Sequence, residues 1–191
     1  MLTLRAQTPI TNTTFYQDYL EFSYVRIAEQ SGIMTREIAV FLMKSKVAPD
    51  IKAAIVNALS FDILGKENAQ RFTVFLLEKY KSDNLGEIEN KLTADELMCL
   101  GYLCVLDDYF TPERGIPYLE KAKEKKPDDY TINMLLALMR AQQEIHHNKC
   151  RAWQLVAEVD SNNNLQDVMF EEARKTIMDF MLRYKENCPK D

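Results

Sequence analysis

Glycine is scarce, with five residues among 191, against an average usage of roughly 7%. Tight hairpins and phosphate-cradling loops both depend on it. No GxG, GxxxxGK or GxSxG string occurs, which excludes the common nucleotide-binding and serine-hydrolase motifs. Histidine is scarcer still, at two residues, and no Ser-His-Asp constellation can be argued from them. An excess of positive charge is also missing, because the net charge is −5. A nucleic-acid binder usually carries a basic face. The nearest candidate is Lys121, Lys123, Lys125 and Lys126, interrupted by Glu120 and Glu124. It reads as a solvated helix face, and no nucleic-acid partner is expected.

Long apolar runs are absent. The longest, residues 97–106, falls well short of the roughly 20 residues a membrane-spanning helix needs, so no membrane span is expected. The leader 2–7 admits two readings: an irregular segment before the first helix, or the tail of a truncated secretion signal ending near Ala6. A full signal has a basic start and an apolar core of roughly 7–15 residues, and neither precedes Ala6. Cys99, Cys104, Cys150 and Cys188 are too few for a disulfide scaffold. Cys99 and Cys104 lie five apart on one expected helix and read as small buried hydrophobes. This favours a reducing, cytoplasmic setting, with a periplasmic or secreted protein as the alternative.

What remains is a chain with 47% hydrophobic and 28% charged residues, a composition that fits one domain or a short repeat array. Its apolar residues recur at helical spacing almost throughout. Thr14-x-x-Gln17 reads as a capping box opening a first helix that carries Phe15, Tyr16, Tyr19 and Phe22 and stops at Gly32. Thr35 caps the second. Pro49 suits the first turn of a third, which carries Ile51, Ile55, Ala58, Leu59 and Ile63 and ends at Gly65. A fourth covers about 67–81, and the polar stretch 82–91 reads as a linker. Thr93-x-x-Glu96 opens a fifth helix. Thr111-Pro112-Glu113 opens a sixth, reaching Lys126, with Pro117 in its first turns. Further helices cover about 130–144, 149–159 and a last segment reaching Lys185. No segment alternates like a half-buried strand.

About nine helices with short links should pack as antiparallel hairpins, and the hairpins repeat. Leu97-x2-Leu100-Gly101-x2-Cys104, followed by Gly115-x3-Leu119, Ala122 and Pro127, resembles a tetratricopeptide unit. Asn133-x2-Leu136-Ala137-x2-Arg140, followed by Lys149-x3-Trp153 and Val156, follows the same pattern, and Ser161 falls 34 residues after Pro127. Small residues let the helices approach while Leu100, Leu119 and Trp153 fill the space between hairpins. The expected fold is therefore all-α, with helix hairpins stacked as a short right-handed solenoid. Its parts are an irregular leader (1–13), N-terminal helices with a loose hairpin (14–91), two tetratricopeptide-like repeats (92–161) and a C-terminal capping helix and tail (162–191).

In that family the first helix of each hairpin lines a concave peptide-binding groove. By position, the resemblance implies Met98, Tyr102 and Val105 in one unit and Met134, Leu138 and Ala141 in the next, with Ile55 and Leu59 extending the line. All are apolar, so the groove lacks the Lys, Arg and Asn needed to hold a chain-terminal carboxylate. It suits an extended or helical protein segment with hydrophobic anchors. The same side chains would instead face the first helix or another chain if either lay across them. The expectation is a non-enzymatic adaptor. The small tetratricopeptide chaperones of bacterial secretion systems are similar in size, acidity and groove character. A self-associating module is the alternative, through the last helix with Leu165, Val168, Met169, Ile177, Phe180 and Met181. Glu171, Glu172, Arg174 and Lys175 give that helix the polar face of a cap instead. No cofactor is implied. His146, His147 and Cys150 are metal-ligand types within five residues, but without a fourth ligand they read as an exposed polar turn. Asp107-Asp108 and Asp128-Asp129 read as helix-end and N-cap residues.

Overall fold

The computed structural model describes residues 8–61, 65–166 and 169–189. The leader 2–7, with its signal-like end at Ala6, lies outside these residues, as do Ile63 and Val168. Among the described residues every regular element is helical, and one isolated bridge pairs Asp129 with Gln166. The described residues form eleven α-helices: α1 (Pro9–Asn12), α2 (Ser23–Ser31), α3 (Arg36–Leu42), α4 (Pro49–Leu59), α5 (Asn68–Tyr80), α6 (Leu85–Ile88), α7 (Ala94–Asp107), α8 (Ile116–Lys125), α9 (Tyr130–Glu144), α10 (Lys149–Asp160) and α11 (Glu171–Lys185).

The count exceeds nine because two single-turn helices form where none was expected. α6 lies in the polar stretch 82–91. Ile88 is fully buried there, and the Asn84 side chain accepts from the Gly86 N–H, which is enough to fold one turn. α1 precedes Thr14, and the helix expected from Thr14 is itself divided into a 3₁₀ turn, Phe15–Tyr19, and α2. The break falls at Phe22, which is extended at φ −79° and ψ 123° between the 3₁₀ turn and α2, and Thr14 makes no side-chain cap bond. Asn57 of α4 meets the start of the turn: its side-chain oxygen accepts from the Tyr16 N–H at 3.0 Å, and its NH₂ donates to the Thr13 carbonyl at 3.1 Å. Both are main-chain groups that a helix opening at Thr14 leaves outside its own ladder. Thr111 and Pro112 open a 3₁₀ turn, Pro112–Arg114, without a side-chain cap bond; the Thr111 hydroxyl turns back to Asp108, and α8 begins only at Ile116, with Pro117 in its first turn.

Other local signals act as their chemistry requires. Thr35 accepts from the Ile38 N–H, and Gly32 ends α2 at φ 60°. Thr93 and Glu96 make both bonds of a capping box, and Asp129 accepts from the Ile132 N–H at the start of α9. Pro49 occupies the first turn of α4, although that helix stops at Leu59, before Gly65. Asp107 accepts from the Asn68 and Ala69 N–H groups, so the end of α7 caps the start of α5.

Three helices form the centre. α4 buries ten of its eleven residues, α7 twelve of fourteen and α9 twelve of fifteen. Helices apolar on every side belong in an interior, and these three pack on one another. Amphipathic helices surround them: α2 lies on α4, α5 and α8 on α7, α10 on α9, and α11 on α10. α11 turns Ala173, Ile177 and Met181 inward and leaves Glu171, Glu172, Lys175 and Asp179 exposed. α7 and α8 touch at glycines. A Cβ on Gly101 would sit 2.8 Å from the Gly115 carbonyl oxygen, and one on Gly115 would collide with the Gly101 carbonyl and Val105. Overpacking of this kind costs about 1–3 kcal/mol. Gly115→Ala should therefore lower the unfolding free energy by about that amount with little change in the slope against urea; an unchanged midpoint would contradict the contact.

Candidate functional site

The eight positions expected to line a groove do converge, because they lie on the three central helices. Ile55 and Leu59 come from α4, Met98, Tyr102 and Val105 from α7, and Met134, Leu138 and Ala141 from α9. Each is at most 1% exposed. The expectation of an open concave surface is corrected here: among the described residues these side chains belong to the core. The chain's own segment 8–20 supplies part of the cover. α1 packs on α7, α9 and α11, and the 3₁₀ turn packs on α4 and α11.

The segment is anchored at both levels of its chemistry. Ile10, Phe15 and Tyr19 are buried to 1% or less. The Ile10 N–H donates to the Gln142 side chain at 3.2 Å, and Asn57 holds Thr13 and Tyr16 while also donating to the Tyr102 hydroxyl at 2.7 Å. The Tyr19 hydroxyl donates to Asp50 at 2.9 Å and accepts from the Phe170 N–H at 3.0 Å, and the two rings stack at 4.5 Å. Thr176 of α11 donates to Asp18. Burial of Ile10 and Phe15 alone contributes about 3–6 kcal/mol, a large share of the roughly 5–15 kcal/mol that holds a whole domain folded. The segment is a structural element of the core, not a loosely held ligand.

The accessible apolar site lies at one end of the central helices. Tyr109, Phe110, Pro112 and Ile145, with Thr8, Gln142 and His146, line a cleft of about 400 Å³. Tyr109 is turned inward and stacks edge-on against Phe61 at 5.3 Å. Phe110 is 70% exposed, the most exposed large hydrophobic among the described residues. Gln142 forms the back wall, with its oxygen accepting from Ile10 N–H and its NH₂ donating to the Tyr109 carbonyl. One amide therefore ties the N-terminal segment to the loop that presents Phe110. A second cleft shares Ile145 and His146 and continues past Lys149, Arg183 and Tyr184. The other exposed apolar side chains, such as Val40 on α3, Val74 on α5 and Leu182 on α11, are ordinary surface exposure.

Titratable groups elsewhere are structural pairs. Lys52 of α4, with its side chain 1% exposed, donates to Asp95 at 2.5 Å, and Lys126 donates to the other Asp95 oxygen at 2.8 Å. Glu96 accepts from Lys79 and from the Tyr80 hydroxyl. The expected solvated lysine face thus docks in part on α6 and α7, since Lys121 also pairs with Glu89. Burial pushes the Cys104 thiol up to about 11 and raises Cys99 further, so both stay protonated small hydrophobes. Cys150 and Cys188 form a disulfide, a single crosslink rather than a disulfide scaffold. No group of three or more metal-ligating side chains occurs among the described residues, and His146 and His147 are exposed. No helix among the described residues is long and apolar enough to cross a membrane.

No protein-family model, no curated protein and no solved structure matches the chain.

The carboxylates make stability depend on acid. Burial alone would raise Asp95 and Glu96, but Lys126 and Lys52 outweigh it at Asp95. Lys79, the Thr93 N–H and Tyr80 outweigh it at Glu96, so both lie below the usual carboxylate range. A depressed folded-state pKa gives stability that is present above about pH 4 and lost as pH falls through the folded value. Asp95→Asn should cost about 3–5 kcal/mol at pH 7, because it strands the buried Lys52 ammonium. It should also flatten the loss of stability between pH 7 and pH 3 in urea titrations; an unaltered acid dependence would contradict this.

Proposed function

We propose that this chain is a non-catalytic protein-interaction module, built from tetratricopeptide-like hairpins stacked as a short right-handed solenoid, that binds a protein segment at the Phe110 cleft. Two features support the array. α7–α8 and α9–α10 are consecutive, closely packed helix pairs joined by short links, and the Gly101–Gly115 contact falls where the repeat pattern calls for small residues. One observation carries the binding site: an aromatic side chain is held outward over an apolar cleft whose back wall is fixed by Gln142, while the inner line of apolar positions is closed. A large exposed aromatic beside a concave apolar surface is the form of an interaction hot spot. The ligand is a segment that inserts an apolar or aromatic side chain between Phe110, Pro112 and Ile145.

The test uses the full-length protein and a displayed library of random peptides, with affinities measured on synthetic copies of those selected. Peptides with an apolar anchor should be enriched. Phe110→Glu should weaken them by roughly 30-fold, corresponding to about 2 kcal/mol for loss of an aromatic hot spot, while the helical spectrum stays unchanged. Selected peptides that bind the variant as well as the parent would overturn the assignment of the site.

A further inference from the structure

The Cys150–Cys188 disulfide joins the first turn of α10 to the tail that follows α11. Both residues are half-buried, unlike Cys99 in the core. Cys150 follows Lys149 at the positive end of α10, and the next residue, Arg151, pairs with Glu158. Positive surroundings of this kind stabilise a thiolate and make Cys150 the better leaving group in thiol–disulfide exchange. The contrast with Cys99 and Cys104, enclosed in the core, is chemical as well as positional.

The bond also stands beside the cleft. Ile145 and His146 line both the Phe110 cleft and its continuation, whose far wall is Lys149, Arg183 and Tyr184. Lys149 is bonded to Cys150 in sequence, and Tyr184 lies one turn before Cys188. α11 in turn packs on α1, which leads from Thr8 at the cleft. Neither cysteine lines either cleft; the crosslink ties the tail just past α11 to the first turn of α10, beside Lys149 and Tyr184 of the second cleft, where α11 also packs on α10.

We propose that Cys150–Cys188 is a redox switch on this cleft: a dithiol reductant opens the bond, frees the last turn of α11 and widens the cleft into the surface beneath Tyr184. One thiolate of the reductant attacks Cys188 Sγ, and the S–S bond breaks with Cys150 leaving as thiolate. The second thiol of the reductant then attacks the mixed disulfide and releases Cys188. Two electrons and two protons pass to the pair, and the dithiol becomes a disulfide. The proposal rests on the cleft being the binding site, and adds what regulates it.

The test compares the full-length oxidised protein, the same protein reduced by dithiothreitol, and Cys188→Ser, by hydrogen exchange and by fluorescence of the apolar anionic probe bis-ANS. Reduction should leave the helical spectrum and a single cooperative melt intact. It should speed exchange at least tenfold at 142–147 and 180–185, raise bis-ANS fluorescence several-fold, and reverse on reoxidation. Cys188→Ser should match the reduced protein. Faster exchange confined to the residues flanking the two cysteines would overturn the switch and leave a simple staple, as would a bond that dithiothreitol reduces only on unfolding. Exchange does not depend on any ligand. Loss of the switch with Phe110-dependent peptide binding retained would therefore refute regulation alone, and the reverse pattern would refute the binding site alone.

Discussion

An irregular main chain buried in an apolar interior must find partners for its N–H and C=O groups, and Asn57 and Gln142 supply them to segment 8–20. Each amide offers a donor and an acceptor from one side chain, and each does double duty. Asn57 bridges the N-terminal segment to Tyr102 of α7, and Gln142 bridges it to the Tyr109 carbonyl. Without its bond the buried Ile10 amide would be unpaired in the interior, at roughly 1–3 kcal/mol, and the half-buried Tyr16 amide would lose its partner. The placement of Ile10, Phe15 and Tyr19 depends on these bonds, and so does the closing of the central helices.

That closure leaves the apolar positions of α4, α7 and α9 to stability, and the accessible apolar cleft lies at one end of these central helices. There the α7–α8 loop, the end of α9, the start of α10 and the end of α11 come together. The same end carries the disulfide and the basic side chains around it. Core, cleft and crosslink are thus contiguous: Gln142 belongs to the first two, while His146 and Ile145 join the cleft to the part the crosslink holds.

Much of the helical architecture was legible because its signals are local. Thr35, Thr93 and Asp129 cap by short side-chain bonds, Pro49 presets a first turn, and Gly32 takes the left-handed conformation. The closeness of Gly101 and Gly115 was legible too, through repeat spacing. What stayed hidden depends on distant partners. Thr14-x-x-Gln17 has the letters of a capping box, but Thr14 makes no cap bond, and the Tyr16 N–H near that end goes to Asn57, some forty residues on. The eight groove positions were placed on the right helices with the wrong exposure, because periodicity tells which side chains point together and not what covers them. Asn57 did leave a trace, as an amide inside an otherwise apolar helical run, whereas Gln142, between Ala141 and Gln143 in a polar helix end, left none. Phe110 left one as half of an aromatic pair in a short polar loop. The 150–188 disulfide left none, since pairing is a matter of three-dimensional proximity.

The central claim is that segment 8–20 belongs to the core and is held there through its main chain. Native-state hydrogen exchange of the Tyr16 and Ile10 amides in the full-length protein tests it most directly. They should exchange as slowly as amides in the middle of α9, opening only with the whole domain. Exchange at the rate of a solvated loop, with α9 still protected, would contradict the account.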